Sequence, residues 1–281
     1  MDTFGKVSIV MPCYNDGEYI EKSVESVLNS TYEDIELIVI DDGSTDVRTK
    51  DIISKFNEKE KIIVVYSNHE GPAAARNAAI RYAQGEYILP VDSDDLIDKS
   101  YIEKAVKILS SDENIGVVYC EAELFGKKSG KWDLPRYDKA KLLADNIVFI
   151  TALFRKSDWE KIGGFRETLK NGIEDYDFWL SMLELKKDFY QIPEVLFYYR
   201  IKDVSRTTLF LSDVVKMKET YQDIYDAHKV LYRENADLVI PELRNVVIDC
   251  SYKIRMYTTV HQMLDKFPRV KKLIKKFFRS G

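Results

Sequence analysis

The chain has few of the residues that build disulfide-stapled or metal-clustered proteins. Among 281 residues there are three cysteines, Cys13, Cys120 and Cys250. Odd in number and far apart, they offer neither a disulfide framework nor a zinc-ligand spacing. They read as reduced thiols of a cytoplasmic protein. The three histidines, His69, His228 and His261, are equally scattered, which argues against a histidine-built metal cage. Gly 12 and Pro 7 are too few for a low-complexity chain. No run approaches the roughly 20 apolar residues of a spanning helix. Val7–Met11 is too short for a secretory h-region and lacks a cleavage site. Neither G-x-G-x-x-G nor a Walker A sequence occurs, so dinucleotide and P-loop readings lose their main warrant. A net charge of −5 argues against a general nucleic-acid binder.

What remains is an ordinary globular composition, 45% hydrophobic and 32% charged, which excludes wholesale disorder. The length suits one large domain or two smaller ones, at about 100–200 residues each. The first third alternates between two periods. Val7–Met11, Ile35–Ile40, Ile62–Tyr66 and Glu86–Pro90 read as buried strands. Gly17–Leu28, Asp46–Phe56 and Pro72–Ala83 read as helices, the second capped by Ser44 or Thr45 and the third opened by a first-turn proline. Strands alternating with helices imply right-handed βαβ units and a parallel sheet. Ligands of such sheets lie at the carboxyl ends of the strands, near a topological switch point. That rule points at three polar loops: Pro12–Asn15, Asp41–Asp46 and Val91–Asp95.

The middle is less regular. Ser100–Leu109 reads as a helix and Ile115–Leu124 as a strand; residues 126–145 read as a charged surface excursion. Ile147–Phe154 reads as a strand, Lys156–Ile162 as a helix ended by Gly163-Gly164, Glu174–Leu185 as a helix and Val195–Ile201 as the last strand. From about Leu211 the strand signals stop. Ser212–Asn235 and Glu242–Leu264 read as long helices broken near Pro241. The expected organisation is a sheet domain over residues 1–210 and a helical region over 211–281.

Four short segments could carry chemistry. Asp92-Ser-Asp94 follows a strand and offers carboxylate oxygens of the kind Mg²⁺ and Mn²⁺ prefer beside phosphate; a solvated acidic turn is the bland alternative. Asp41-Asp42-Gly43-Ser44 could cap a helix or accept an N–H from a nucleobase edge. Arg76 stands about one turn into a helix whose N-terminus favours anions, and a guanidinium suits a diphosphate. Glu174-Asp175-Tyr176-Asp177 opens a helix rich in aromatics, including Trp179. The dipole favours acids there, and a general base beside a sugar-stacking wall is the functional alternative.

The ordered set is more telling than its members. Val-Ser-Ile-Val-Met-Pro-Cys-Tyr-Asn (7–15), Ile-Val-Ile-Asp-Asp-Gly-Ser-Thr-Asp (38–46), Gly-Pro-Ala-Ala-Ala-Arg-Asn (71–77), Val-Asp-Ser-Asp-Asp (91–95), Gly-Gly-Phe (163–165) and Glu-Asp-Tyr-Asp (174–177) occur in that sequence. Over about residues 5–207 this closely resembles glycosyltransferase family 2. The resemblance implies a GT-A, Rossmann-like α/β fold, a mostly parallel sheet flanked by helices, here followed by a C-terminal helical extension. It also implies an inverting, metal-dependent hexosyl-type transfer from a nucleotide-diphosphate sugar, with UDP the favoured nucleotide. Carried over residue by residue, Pro12, Tyr14 and Asp42 line the nucleobase pocket with Asn68 near it. Arg76 supports ribose or diphosphate, Asp92 approaches the ribose, and Asp94 ligates a divalent cation, Mn²⁺ or Mg²⁺. Asp175 is the implied base, with Glu174 beside it. A saccharide or lipid-linked acceptor in bacterial cell-surface polysaccharide synthesis follows by analogy.

One position departs from the family pattern. Many relatives read Tyr-Arg-x-His-x-x-Ser where this chain has Tyr199-Arg200-Ile201-Lys202-Asp203-Val204-Ser205-Arg206. A protonated lysine cannot ligate a cation, but it can meet a phosphate directly, with Arg206 close in sequence to help. Metal ligands beyond Asp94 are therefore left open.

The end of the chain is read on physics alone. Residues 266–281 hold seven basic side chains and no acidic one, against a net-negative whole. Residues 268–279 pattern as a basic amphipathic helix, too short to span a bilayer and suited to an anionic membrane surface on the inner face of a cell membrane; packing on the preceding helices, or on a partner protein, is the alternative. A non-catalytic nucleotide-sugar-binding or scaffold protein is the competing reading of the whole. A sugar-1-phosphate nucleotidyltransferase is a third, disfavoured because Pro12–Asn15 lacks a glycine-rich basic loop. Nothing in the sequence fixes the oligomeric state.

Overall fold

The computed structural model describes residues 4–267; the basic segment 268–279 lies outside the described residues. Two compact units divide the chain, one up to Glu234 and one from Asn235.

The first unit begins with the alternation the sequence announces. It runs β1 (Val7–Cys13), α1 (Ile20–Leu28), β2 (Ile35–Asp41), α2 (Val47–Phe56), β3 (Ile62–Tyr66), α3 (Pro72–Tyr82) and β4 (Tyr87–Pro90). Then follow β5 (Leu96–Ile97), α4 (Tyr101–Ser111), β6 (Ile115–Gly126), β7 (Gly130–Lys131), α5 (Lys139–Ala144), β8 (Leu153–Arg155), α6 (Lys156–Ile162), α7 (Glu174–Glu184) and β9 (Asp188–Ile201). Helices α8 (Arg206–Ser212), α9 (Val214–Ala227) and α10 (Lys229–Glu234) complete it.

The strands form one mixed sheet in the order β3-β2-β1-β4-β8-β6-β9-β5, with β7 hairpinned onto β6. β1 pairs in parallel with both β2 and β4, so the strand order reverses beside β1. β2 is buried at every position and β1 at all but one, which is why both read as continuous apolar runs. β8 enters antiparallel between β4 and β6, while β9 runs parallel to β6. Aromatic packing fills the far side of the sheet, where Phe154 meets Phe178 and Trp179 at ring-centroid distances of 5.0 and 6.2 Å.

Several local expectations are corrected. The cap of α2 is Asp46, whose carboxylate accepts the Thr49 N–H at 2.8 Å. Ser44 and Thr45 are engaged elsewhere, by Asn15. The strand expected over Ile147–Phe154 is confined to β8, because side chains claim the carbonyls before it. Trp179 Nε1–H donates to Val148 O at 2.9 Å, and Tyr101 O–H to Thr151 O at 2.7 Å. Residues 126–145 contain β7 and α5 rather than a bare excursion. The last strand starts at Asp188, well before Val195. Gly163-Gly164 does end α6, with Gly163 left-handed at φ 90°.

The second unit is built on one helix, α11 (Ala236–Asp265), which runs unbroken through Pro241. The proline removes a single N–H near the helix start, and its fixed φ is compatible with the helix, so the expected break does not form. Among the described residues, no helix is long and apolar enough to cross a membrane.

Candidate active site

The three loops named from the sequence converge on one cleft of about 920 Å³, lined also by the start of α7 and by residues after β9. Asp94 and Asp175, far apart in sequence, both line it.

The loop after β1 is held against the loop after β2 by Asn15. Its Oδ1 accepts the N–H groups of Thr45 at 2.7 Å and Asp46 at 3.1 Å, and the residue sits at φ 57° to do so. Asn is among the residues that tolerate this left-handed region. Pro12 and Tyr14 line the cleft there. Tyr14 stacks on His69 with ring centroids 3.9 Å apart, a partnership the sequence did not reveal. Asn68 is exposed and absent from the lining, where its neighbour His69 stands instead.

Asp42 is buried at the cleft edge. Its Oδ1 accepts from Ser67 Oγ at 2.7 Å and the Glu70 N–H at 3.0 Å, and its Oδ2 from the Gly71 N–H at 3.0 Å. Three of about four acceptor positions are thus spent on shaping the loop before α3, leaving about one for a ligand.

Arg76, one turn into α3, is buried beneath the cleft. It donates to Asp92 Oδ1 at 2.6 Å and to Glu174 Oε1 at 2.7 Å. It therefore orients two carboxylates from distant segments. Next to it, Asn77 explains Gly-Gly-Phe. Asn77 Oδ1 accepts the Phe165 N–H at 2.8 Å, and a Cβ on Gly164 would come within 2.7 Å of that same oxygen.

The helix α7 carries the decisive acids. Ile173, just before it, sits at φ 55°, a costly conformation for a β-branched residue. Glu174 is clasped from two sides: Arg206 contributes Nη1 to Oε1 at 2.8 Å and Nη2 to Oε2 at 2.7 Å, opposite Arg76. Burial works against its charge, but the two guanidinium groups prevail and hold its pKa down to about 2. Asp175 beside it makes no ion pair with any described residue; it accepts the Tyr176 N–H at 2.9 Å and a side-chain hydrogen bond from Asn146. Burial, and then the Glu174 charge, push its pKa up to about 6. Adjacent carboxylates are thus driven in opposite directions, an acid–base arrangement. Further along, Asp177 is held by Arg166 at 2.5 Å and by buried His228 Nε2 at 3.2 Å, while His228 Nδ1 meets Glu184 at 2.9 Å. These contacts fix α7 along its length. Trp179 is not part of the site: it is wholly buried among Phe154, Phe178 and Phe189, so the expected sugar-stacking role is corrected to core packing. An aromatic surface does exist in the cleft, at half-buried Trp132, which packs on Phe149 and Tyr199.

The loop Asp92–Asp95 is fastened by β9. Arg200 gives its N–H to Asp95 at 2.8 Å and its Nε–H to Asp94 O at 2.7 Å, with its guanidinium between the rings of Tyr19 and Phe125. Lys202 follows and places Nζ 2.6 Å from Asp94 Oδ2 and 3.0 Å from Asp16 Oδ1. Asp16 was not singled out in the sequence, although it directly follows the first motif. Mg²⁺ wants near-octahedral oxygen ligands at about 2.0–2.1 Å. Among the described residues no group of three or more His, Cys, Asp or Glu could hold a metal ion. The nearest carboxylates already face Lys202 or Arg76, so this donor set does not fit a divalent cation.

A sheet whose order reverses beside β1, with a D-x-D loop and an acid-led helix opening into one cleft at the strand ends, defines a GT-A glycosyltransferase fold. Solved structures of S. aureus TarS share it. The complex with UDP has a TM-score of 0.59 at 25% identity, over 70% of this chain and 61% of that one. The complex with UDP-GlcNAc has a TM-score of 0.62 at 22% identity, over 72% and 60%. The family model described as "Glycosyl transferase family 2" matches residues 8–183, and the chain belongs to that family. Its relatives include a chondroitin synthase of Pasteurella multocida (strain Pm70), 31% identical over 64% of this chain and 19% of the relative. Another is the putative teichuronic acid biosynthesis glycosyltransferase TuaG of Bacillus subtilis (strain 168), 30% identical over 79% of this chain and 89% of the relative. The chain thus spans about a fifth of the length of the chondroitin synthase.

Proposed function

We propose that this chain transfers a sugar from a nucleotide-diphosphate donor to a hydroxyl of a saccharide or lipid-linked acceptor, with inversion at the anomeric carbon. The observation that carries it is the contrast at the start of α7: Glu174 neutralised by two arginines, and Asp175 beside it unpaired, raised to about 6 and facing the cleft. A base tuned near the working pH is what proton abstraction from a hydroxyl needs.

In this reading the acceptor oxygen attacks the anomeric carbon from the face opposite the diphosphate. Its proton passes to Asp175, and the bond from carbon to the β-phosphate oxygen breaks with its electron pair on the leaving oxygen. One carboxylate then suffices at the sugar, and the configuration inverts. The growing charge on the diphosphate is met by Arg206 and Lys202, both of which line the cleft. Arg76 acts from below by fixing Asp92 and Glu174. Pro12, Tyr14 and Asp42 form the nucleobase end, with His69 widening the aromatic surface. UDP is the favoured nucleotide, in line with the UDP complex of TarS. Trp132 and Leu134 line the cleft and also a second hollow of about 470 Å³ that includes Lys131, Arg136 and Gln191, a path for an extended saccharide acceptor. Polysaccharide synthesis is the process we assign, as for chondroitin synthase and TuaG.

The test is purified protein with a panel of nucleotide sugars and saccharide acceptors, followed by product release and by NMR of the anomeric linkage. A product of inverted configuration supports the reading. A retained configuration, or nucleotide-sugar binding with no transfer to any acceptor, refutes it.

A further inference from the structure

We propose that the Lys202 ammonium is the resident cation of this cleft, so that the donor's diphosphate binds without a divalent ion. The inference rests on the nucleotide-sugar reading above and adds the means by which the diphosphate is held.

Three observations converge on it. First, Nζ lies between carboxylates of two separate loops, Asp94 Oδ2 at 2.6 Å and Asp16 Oδ1 at 3.0 Å, with the Tyr19 ring 5.3 Å away. Second, those partners are fixed rather than fortuitous. The other Asp16 oxygen accepts from Ser93 Oγ at 2.9 Å, and the Asp94 backbone is pinned by Arg200 from the same strand end that delivers Lys202. Third, two further acids of the cleft are already spent on cations of the chain: Asp92 on Arg76, and Glu174 on Arg76 and Arg206. An ammonium has three N–H donors. Two point at carboxylates, and the third is available for a phosphate oxygen. A side chain differs from a bound ion in being unable to leave: the positive charge is present before the donor arrives and insensitive to chelators.

The experiment measures UDP binding to the full chain by calorimetry, in EDTA and in Mn²⁺, and Mn²⁺ binding alone by electron paramagnetic resonance. The intact protein is expected to bind UDP in EDTA, with an affinity that changes less than about twofold when Mn²⁺ replaces EDTA. Lys202→Met removes the charge while keeping the length. It is expected to lose about tenfold or more in EDTA, as for a lost charge-assisted bond, and to regain binding with Mn²⁺, because Asp16 and Asp94 are set free as oxygen ligands. Lys202→His serves as a second variant, expected to bind Mn²⁺ and to bind UDP only with it; circular dichroism checks the fold of both. UDP binding by the intact protein only when Mn²⁺ is present would overturn the inference, as would Mn²⁺ binding equally to intact protein and Lys202→Met. If no nucleoside diphosphate binds under either condition, the nucleotide-sugar reading fails with it; metal-dependent binding sinks the lysine inference alone.

Discussion

The two sides of the cleft are made of opposite materials. Around β1, β2, α3 and the Asp92–Asp95 loop, nearly every carboxylate is answered by a cation or by O–H and N–H donors: Asp42 by Ser67, Glu70 and Gly71, Asp92 by Arg76, Asp94 by Lys202. Trp132, Phe149 and Phe210 give the lining an apolar part, and Asp175 lines the same cleft with no ion-pair partner among the described residues. A carboxylate clasped by two guanidinium groups, as Glu174 is, is a structural acid, fixed in geometry and reluctant to take a proton. An unpaired one in a partly apolar setting is a reactive acid. The lesson is that the three acids of one motif, Glu174, Asp175 and Asp177, divide between these roles according to what surrounds them.

The sharpest way to break the comparison is Asp175→Asn. Transfer should fall by about 10³-fold, in the range of a lost general base, while UDP affinity stays within about twofold by calorimetry. The same variant should melt at a higher temperature than the parent, because a carboxylate raised to about 6 is disfavoured as an anion in the folded state. A variant that still turns over, or that loses donor affinity in step with activity, would place Asp175 on the paired side. Next in size is Glu174→Ala. Leaving Arg76 buried and half-unpaired should cost about 3–5 kcal/mol of stability by denaturant melts. Loss of activity with unchanged stability would instead make Glu174 a reacting group.

A third distinction is in pH. Asp175 must be ionised to accept a proton, so kcat/KM should fall about tenfold per unit below pH of about 6 and level off above it. Glu174 is expected to act on stability instead. Its folded pKa of about 2 lies below the 4.5 of an unperturbed carboxyl, so its contribution is complete above about pH 4.5 and fades as pH falls toward 2. Melting temperatures across that window should drop less in Glu174→Gln than in the parent. The smallest effect is expected at Trp132. Trp132→Ala should raise the acceptor KM by about five- to tenfold, of the order of one lost stacking contact, with donor KM unchanged.

Legibility in the sequence follows the same divide. β1 to β4 could be read because parallel strands buried on both faces are written as uninterrupted apolar runs. The donor-side loops could be read because each follows such a run at once. Residues 147–152 could not, since Trp179 and Tyr101 take carbonyls that a strand partner would otherwise bind. Asp16, His69 and Trp132 escaped because their meaning lies in contacts with distant loops. Trp179 misled because an aromatic near an acid motif looks the same whether it faces a ligand or the core. Lys202 was legible as a departure, but its position between Asp16 and Asp94 emerges only when β9 ends beside the loop that follows β4.

Ile173 has a consequence for anyone wishing to make this protein tougher. A β-branched side chain held at φ 55° is a standing tension at the foot of α7, offset by the clasp on Glu174. Screens for heat resistance should therefore return glycine or asparagine here, which relax the turn by roughly 1 kcal/mol or more. Either residue holds φ near 55° at little cost, so the relaxed chains should be sturdier with the start of α7, and Asp175 on it, left in place.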